Sequence, residues 1–536
     1  MSYKILHISR TITFLPYLLF LTFFTSNVIA TTYYISPDGS DKSTGTNIIQ
    51  PFKSFKHSFS ILQGGDELIL LDGDYSESNG TGILRGQGLY GQQLVHSAAI
   101  PSGKSVKELT RIRALNFGKV RLYNIESLPS GHGKPLHIGT KKRKDKFIYI
   151  NGIIFEGGGK LYNTQHITIK NSGFHGSFGI GSNDHHFNND FNLIEDVWIW
   201  TNNSRISASN YRAHKNVWRR VLVKSDGCDY PGCESYPKKD PSVGITVYDS
   251  QDVSLQNIIV IDRLIRNDIP YGDFASAQHT SDPKYHLGRN EWLGSISINS
   301  QDMSMHFEAD NIISKNEGHV WRIKDFLSIN SPRGGINLGN TPYNYDKSSR
   351  LVSTIENATI LLSQAKKNIS AIRVSPQVTS TKISNSITVG ATRTGFNAKG
   401  SVVRDSVSYN PKSTEKAFDV KLCEKNCIKI DTNPRNDGSL SFTINPYKRS
   451  TIESLGEIKT HIGASITHKT GADGSKFGGK NYNKLTKNLL WPWPNEKIIL
   501  NEICKKIKQG ICNTPNNTNR IFNYILDNLH EPILQK

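Results

Sequence analysis

The feature that most limits the fold is a set of short strings that recur without a fixed period. Between about residues 145 and 410 helix patterns are rare, and β-rich strings of four to six residues take their place. One set opens on a small or polar residue and then alternates: GIGSN (179–183), RISASN (205–210), GITVYD (244–249), SISINS (295–300), GINLGN (335–340) and AIRVSP (371–376). Their second residues are Ile180, Ile206, Ile245, Ile296, Ile336 and Ile372, at intervals of 26, 39, 51, 40 and 36. A second set carries an Asn or Asp ahead of further apolar strand, at Asn151, Asn171, Asp196, Asn257, Asn311, Asn357, Asn385 and Asp405. Two interleaved strand sets of variable period imply a solenoid. Its strands stack in parallel at ~4.8 Å per coil, and no coil buries its apolar residues alone. The recurrent Asn fits a turn ladder, with side-chain amides bonding along the stack. Arg220 stands where that ladder predicts Asn or Asp. The long intervals place inserted loops in the central coils, where repeat proteins often carry their binding face.

A solenoid needs capped ends, because a terminal coil exposes an apolar layer and unpaired backbone. In QPFKSFKHSFSIL, Phe52, Phe55, Phe59 and Leu62 fall on one face of a helix. That helix is the expected cap, and ELILL (67–71), held between two Gly-Asp pairs, is the expected first buried strand. The expected organisation is a signal segment at 1–30, cap and first coil at 31–75, parallel β-helix at 76–410, and a C-terminal extension at 411–536. The extension holds WPWP at 491–494 and two amphipathic stretches, Ile499/Ile503/Ile507 and Ile521/Ile525/Leu529.

The segments YYISPDGSDKSTGTN, QPFKSF and GGDELILLDGDY resemble the N-terminal signature of secreted right-handed parallel β-helix proteins of the pectate-lyase-like superfamily. The resemblance is specific over residues 33–75. The WPWPNE-containing tail is similar to one on some uncharacterised bacterial members. The resemblance implies an all-β right-handed β-helix, an extracellular setting and action on polysaccharides. It transfers no catalytic residue, since no lyase motif matches position by position.

Export is also read from the residues. Lys4 and Arg10 precede an apolar run from about Ile12 to Phe24, and SNVIA ends at Ala30. This is a secretory signal pattern. Pro16 interrupts the run, which is shorter than the ~20 residues a membrane span needs. The expectation is a secreted or periplasmic monomer with no transmembrane segment after cleavage. Six cysteines form three close pairs, Cys228/Cys233, Cys423/Cys427 and Cys504/Cys512, expected as local disulfides. The charge of +19 attracts polyanions. No nucleic-acid motif is present, so the expected partner is an acidic polysaccharide.

Strand alternation turns Ser207, Ser209, Thr246, Tyr248, Ser297, Asn299, Asn337 and Arg373 outward as a stacked polar face. Nearby loops add Tyr211, Arg212, His214, Lys215, Asp249 and Arg333. Glycoside hydrolysis needs two carboxyl groups across a sugar, and the outward strands offer only Asp249. β-Elimination of a uronate polymer needs a base and a group that neutralises the substrate carboxylate. The sequence assigns Lys215 or Tyr248 as base and Arg212 with Arg333 as carboxylate holders. Tyr211, Ser207, Thr246, Asp249, Asn299, Asn337 and Arg373 are the expected substrate contacts. Asp226, Asp229 and Glu234 are the residues available for Ca²⁺, although no continuous calcium-loop motif is present. The histidines at 279, 286, 306 and 319 read as structural or exposed. A non-catalytic carbohydrate-binding or adhesin-like protein would use the same face, and the sequence does not separate it from a lyase.

Overall fold

The computed structural model describes residues 30–86, 93–125, 133–182, 189–201, 205–225, 243–261, 263, 272–278, 289–298, 300, 302–309, 320–329, 331–339, 353–362, 368–376, 381–409 and 417–430. Strand follows strand with one short helix, and the pairings between named strands are parallel. The pairings run in three columns. The first sheet climbs through Glu67–Leu70, Thr110–Ala114, Asp145–Asn151, Thr164–Lys170 and on to Lys382–Ser384. The second climbs through Gly73–Tyr75, Val120–Tyr123, Ile153–Glu156 and Gly173–His175 to Ile387–Val389. The third climbs through Leu84–Arg85, Leu136–Ile138, Gly159–Leu161, Phe178–Gly181, Ile206–Tyr211, Val243–Tyr248, Gly272–Gln278, Met303–Ala309, Ile336–Leu338 and Ile372–Val374. Long strands such as Leu193–Thr201 and Val217–Ser225 bend from the first sheet into the second. The fold is the expected parallel β-helix.

Every second residue points inward and stacks on its equivalents above and below. In the first sheet Ile150, Ile169, Ile194, Trp218, Leu255, Trp292 and Ile323 form one such column, all fully buried. Phe155 and Phe174 stack at 4.9 Å in the second. No single coil encloses these side chains, so the core exists only in the stack.

The corner between the first and second sheets needs one residue in the left-handed region, which Asn, Asp and Gly tolerate best. Asn171, Asp196, Asn257, Asn357, Asn385 and Asp405 all have φ between 46° and 58° there. The amides bond between coils as expected: Asn171 Nδ2 donates to Asn151 Oδ1 at 2.9 Å, and Asn357 Nδ2 to Asp325 Oδ1 at 2.9 Å. At Asn151 the left-handed turn falls on the next residue, Gly152. Asp325 and Gly294 occupy corners that the sequence reading missed, and Asn311 lies outside the described residues. Arg220 does sit on the ladder, at φ 51°, and its guanidinium bonds the Asp196 carboxylate below it and Glu195. An ion pair there replaces an amide pair.

The N-terminal cap holds with adjustments. Helix α1 spans Phe55–Ile61 and starts at Ser54, whose hydroxyl accepts from His57 N. Asp41 fixes that cap by accepting from Ser54 N and Ser54 Oγ. Phe55 packs on Tyr75 at 5.6 Å and covers the first coil. Phe52 is not on the helix but bridges Ile35 in extended form. Glu67–Leu70 is not outermost, because Thr32–Ile35 stacks on it. At the other end the stack continues past residue 410. Phe418–Ile430 pairs with Phe396–Tyr409, and the expected Cys423–Cys427 disulfide closes within that last coil. Cys228, Cys233, Cys504, Cys512 and the amphipathic stretches of the extension lie outside the described residues. No described helix is long and apolar enough to cross a membrane.

Candidate functional site

The outer faces of the three sheets differ in chemistry. The first is a ladder of opposite charges, with Arg113 on Glu67, Lys170 and Arg219 on Glu195, and Lys324 on Glu356. The partly exposed Arg113–Glu67 and Lys324–Glu356 pairs contribute little each, whereas Glu195 is buried beneath its cations, which hold its carboxyl down at about 2. The second is charged at its first coils, where Arg121 and His175 both bond Glu156, and largely apolar from Trp198 onward. The third is polar and basic, and it is the face the sequence singled out. Along it the register places Arg85, His137, Lys160, Gly179, Ser209, Thr246, Ala275, His306, Asn337 and Arg373 on successive coils.

Several sequence-predicted residues land here. Thr246 and Asn337 face outward but are nearly enclosed, and Arg373 is exposed. Tyr211 and Tyr248 stack at 4.5 Å with rings 2° from parallel, because Tyr211 and Tyr248 are register partners. Arg212 Nε lies 3.4 Å from the buried Asp249 Oδ2 and its guanidinium 5.3 Å from the Tyr211 ring centre. Burial, then Asp249 and Tyr211, push the Tyr248 phenol up to about 12 against the pull of Arg212. A phenol held neutral in this way is poorly suited to act as a base. Lys215 is exposed, 5.5 Å over the Phe191 ring.

Other assignments change. Ser207 does not face out: it is fully buried and bonded to Thr201 Oγ1 at 2.7 Å and Ser225 Oγ at 2.6 Å. SISINS belongs to the second sheet, and Ser297 on it is buried against Asp273 and Ser304. The third sheet uses Gly272–Gln278 and Met303–Ala309 in those coils. Arg333 pairs with Asp302 Oδ1 at 3.4 Å. It stands four coils, about 19 Å, along the stack from Arg212, so the two do not converge on one carboxylate. Of the two readings given for it, His306 follows the structural one: its ring bonds Glu308 and accepts from Asn337 Nδ2 at 3.0 Å. Asn299, Asp226, Asp229 and Glu234 lie outside the described residues.

Sequence reasoning missed the basic end of the face. Arg85 and His137 are register partners, as are His137 and Lys160. Lys134 joins them from the preceding corner. Its Nζ donates to Ser177 O at 2.7 Å and Ser177 Oγ at 2.8 Å, and Arg85 Nη1 donates to Lys134 O at 3.3 Å. These cations crowd one another. Burial, with the charges of Lys160 and Arg85, lowers Lys134 to about 7. Burial and the charges of Arg85, Lys160, Lys134 and Arg143 lower His137 to about 3. Burial alone lowers Lys160 to about 8. Lys160 has no hydrogen-bond or ion-pair partner among the described residues. The next coil has glycine in register with it. A Cβ at Gly179 would lie 2.5 Å from Ser209 Oγ and 3.6 Å from Lys160 Nζ, so the Ser209 hydroxyl closes over the glycine and the Lys160 amine stands beside it. The signal was present in LRG, PLHIG and GKLYN, had the outward alternation been carried back to residue 84.

The fold and this face define a parallel β-helix protein with a basic outer sheet. Among solved structures, the chain is similar to XylC in complex with xylose (TM-score 0.39, 10% identity, 75% of this chain and 87% of that one). It is also similar to the pectate lyase Pel9A (0.33, 12%, 75% and 80%) and to PfbA, a surface adhesin of Streptococcus pneumoniae (0.39, 11%, 68% and 85%). At 10–12% identity none of these roles transfers to this chain. No protein-family model and no curated protein matches the sequence.

Proposed function

We propose that the protein binds an acidic polysaccharide along the outer face of its third sheet and cleaves it by β-elimination at the basic end of that face. The observation that carries this reading is Lys160: a recessed amine lowered to about 8, without a hydrogen-bond or ion-pair partner among the described residues, in register with His137 and with a glycine, Gly179, on the next coil. A lysine lowered into this range is suited to general-base work near neutral pH. Arg85 supplies the positive field that draws in a uronate carboxylate and stabilises charge as it develops there. Lys160 Nζ takes the proton from the carbon beside that carboxylate. The C–H electron pair becomes the new C=C bond, the glycosidic C–O bond breaks, and the leaving oxygen takes a proton from water. His137, lowered to about 3, stays neutral throughout. Tyr211, Tyr248 and Arg373 extend the face for the rest of the polymer.

The test is a screen of the mature protein against pectate, alginate, hyaluronan and chondroitin sulfate, with and without Ca²⁺. Absorbance of unsaturated uronate ends is followed. A rise with one polymer is expected. Retention on a polymer column with no rise would replace elimination with binding alone, and neither would refute both.

A further inference from the structure

Lys160 sits near one end of the outer face of the third sheet, so most of that face lies on one side of it. From Lys160 the register runs two coil steps back to Arg85, whose neighbour Leu84 pairs with Ala98 on the far side. In the other direction it runs seven steps, about 34 Å, to Arg373. A pyranose unit is about as long as one coil is high, ~4.8 Å. A polymer lying along the face therefore rests most of its bound sugars on the long side, and the chemistry there sets which polymer fits.

That chemistry changes at Lys160. On the long side the same register holds Gly179, Ser209, Thr246, Ala275, His306 and Asn337 before it reaches the guanidinium of Arg373. Two positions on, a second outward column adds Tyr211, Tyr248, Ala277 and the carboxylate of Glu308. Glu308 is bonded to the His306 ring, which accepts from Asn337 Nδ2. At the neighbouring corner Arg212 Nε lies 3.4 Å from Asp249 Oδ2, and Lys215 lies over the Phe191 ring. Hydroxyls and amides of this kind both donate to and accept from the hydroxyl and amide groups of neutral sugars. A carboxylate set on each of these coils would instead meet a hydroxyl, a methyl or Glu308, losing water with no opposite charge in return.

We propose that the polymer is a heteropolysaccharide whose uronates are widely spaced, with one uronate at Lys160 and neutral sugars over the coils from Gly179 to Asn337. This rests on the reading of the third sheet as the polymer's track and narrows its substrate class. The protein's positive charge draws in any polyanion at long range. Contact with the long side then selects, because specificity is a difference in affinity that unpaired and like charges enlarge. A polyuronate with a carboxylate on every sugar suits the overall charge but not this face.

The experiment measures polymer binding to the full chain carrying Lys160→Met, so that no polymer is consumed, and assays the wild type in parallel for unsaturated ends. Three polymers form a series: pectate, with a carboxylate on every sugar; hyaluronan, on alternate sugars; and deacylated gellan, where they are further apart still. Gellan and hyaluronan should bind at least about tenfold more tightly than pectate, and added salt should weaken them little. Pectate bound most tightly would overturn the inference, while its cleavage by the wild type would leave elimination standing. The expected binding order with no unsaturated ends from any polymer would remove elimination and uphold the charge spacing. Binding of none would overturn both. A second variant puts a cation on the long side: Ala277→Lys, in register between Tyr248 and Glu308. It should tighten pectate several-fold and leave gellan unchanged; no gain for pectate would equally overturn the inference.

Discussion

Replacing Lys160 by Met separates a functional amine from a structural one. At pH 7 a lysine of pKa about 8 is about 9% neutral, whereas one at the ordinary 10.5 is about 0.03% neutral, a gain of roughly 300-fold in base. The rate of unsaturated-product formation should rise about tenfold per pH unit below pH 8 and level off above it. Lys160→Met should lose about 10²–10⁴ of kcat/KM. Lys160→Arg should not rescue it, because a guanidinium does not deprotonate in this range. Stability should move the other way. The folded pKa lies below the unfolded one, so between pH 8 and 10.5 the unfolded state binds more protons, and wild-type stability rises with pH across that window. The cost of charging the recessed amine is fully present below pH 8. Lys160→Met should therefore be more stable than wild type by about 1–2 kcal/mol at pH 7, after discounting for partial solvent exposure. That advantage should fade towards pH 10.5. Denaturant melts at pH 7 and 10 measure it. A variant that keeps activity within threefold, or that loses stability at pH 7, would refute the assignment of Lys160 as a desolvated base.

Two further predictions concern the scaffold. Asn357→Ala should destabilise the fold by about 2–3 kcal/mol and Asn357→Gly by about 1 kcal/mol less. Both lose the bond to Asp325, but only glycine keeps the left-handed φ of 58° without strain; equal thermal shifts would contradict the corner argument. The fully buried Arg263–Asp273 pair, at 2.5 Å with Asp273 also bonded to Ser297, should cost about 3–5 kcal/mol when Arg263→Ala leaves the acid alone. Arg263→Met with Asp273→Leu should recover much of that in chemical denaturation.

How much of this was legible follows from how local each rule is. Alternation decides inward from outward within one strand, so the parallel β-helix and inward residues such as Ile180, Ile245, Ile336 and Ile372 could be read directly. The corner residues were legible because a left-handed φ selects Asn, Asp or Gly wherever it occurs. The cap was legible from its helical spacing, though the cap residue Ser54 starts the helix after Phe52.

Register was not legible. Insertions of different length separate the coils, so a string alone does not reveal which sheet it joins. SISINS has the pattern of the third sheet and sits in the second, with Ser297 turned into the core. Ser207 was misread at the same level: the strand begins at a corner where its hydroxyl meets Thr201 and Ser225. The chemistry of the face depends on register most of all. Arg85, His137 and Lys160 are distant in the chain and become neighbours only because parallel pairing sets one coil on the next. The burial that brings Lys160 to about 8, and the crowding that lowers Lys134 and His137 beside it, are properties of that stacking and of no single segment. The sequence by itself determined that the chain coils, which side chains fill it, and that its surface is basic. Only the tertiary structure decided where along the coil those charges meet, because a charge feels neighbours a few ångströms away, and hydrogen-bond register alone sets who they are.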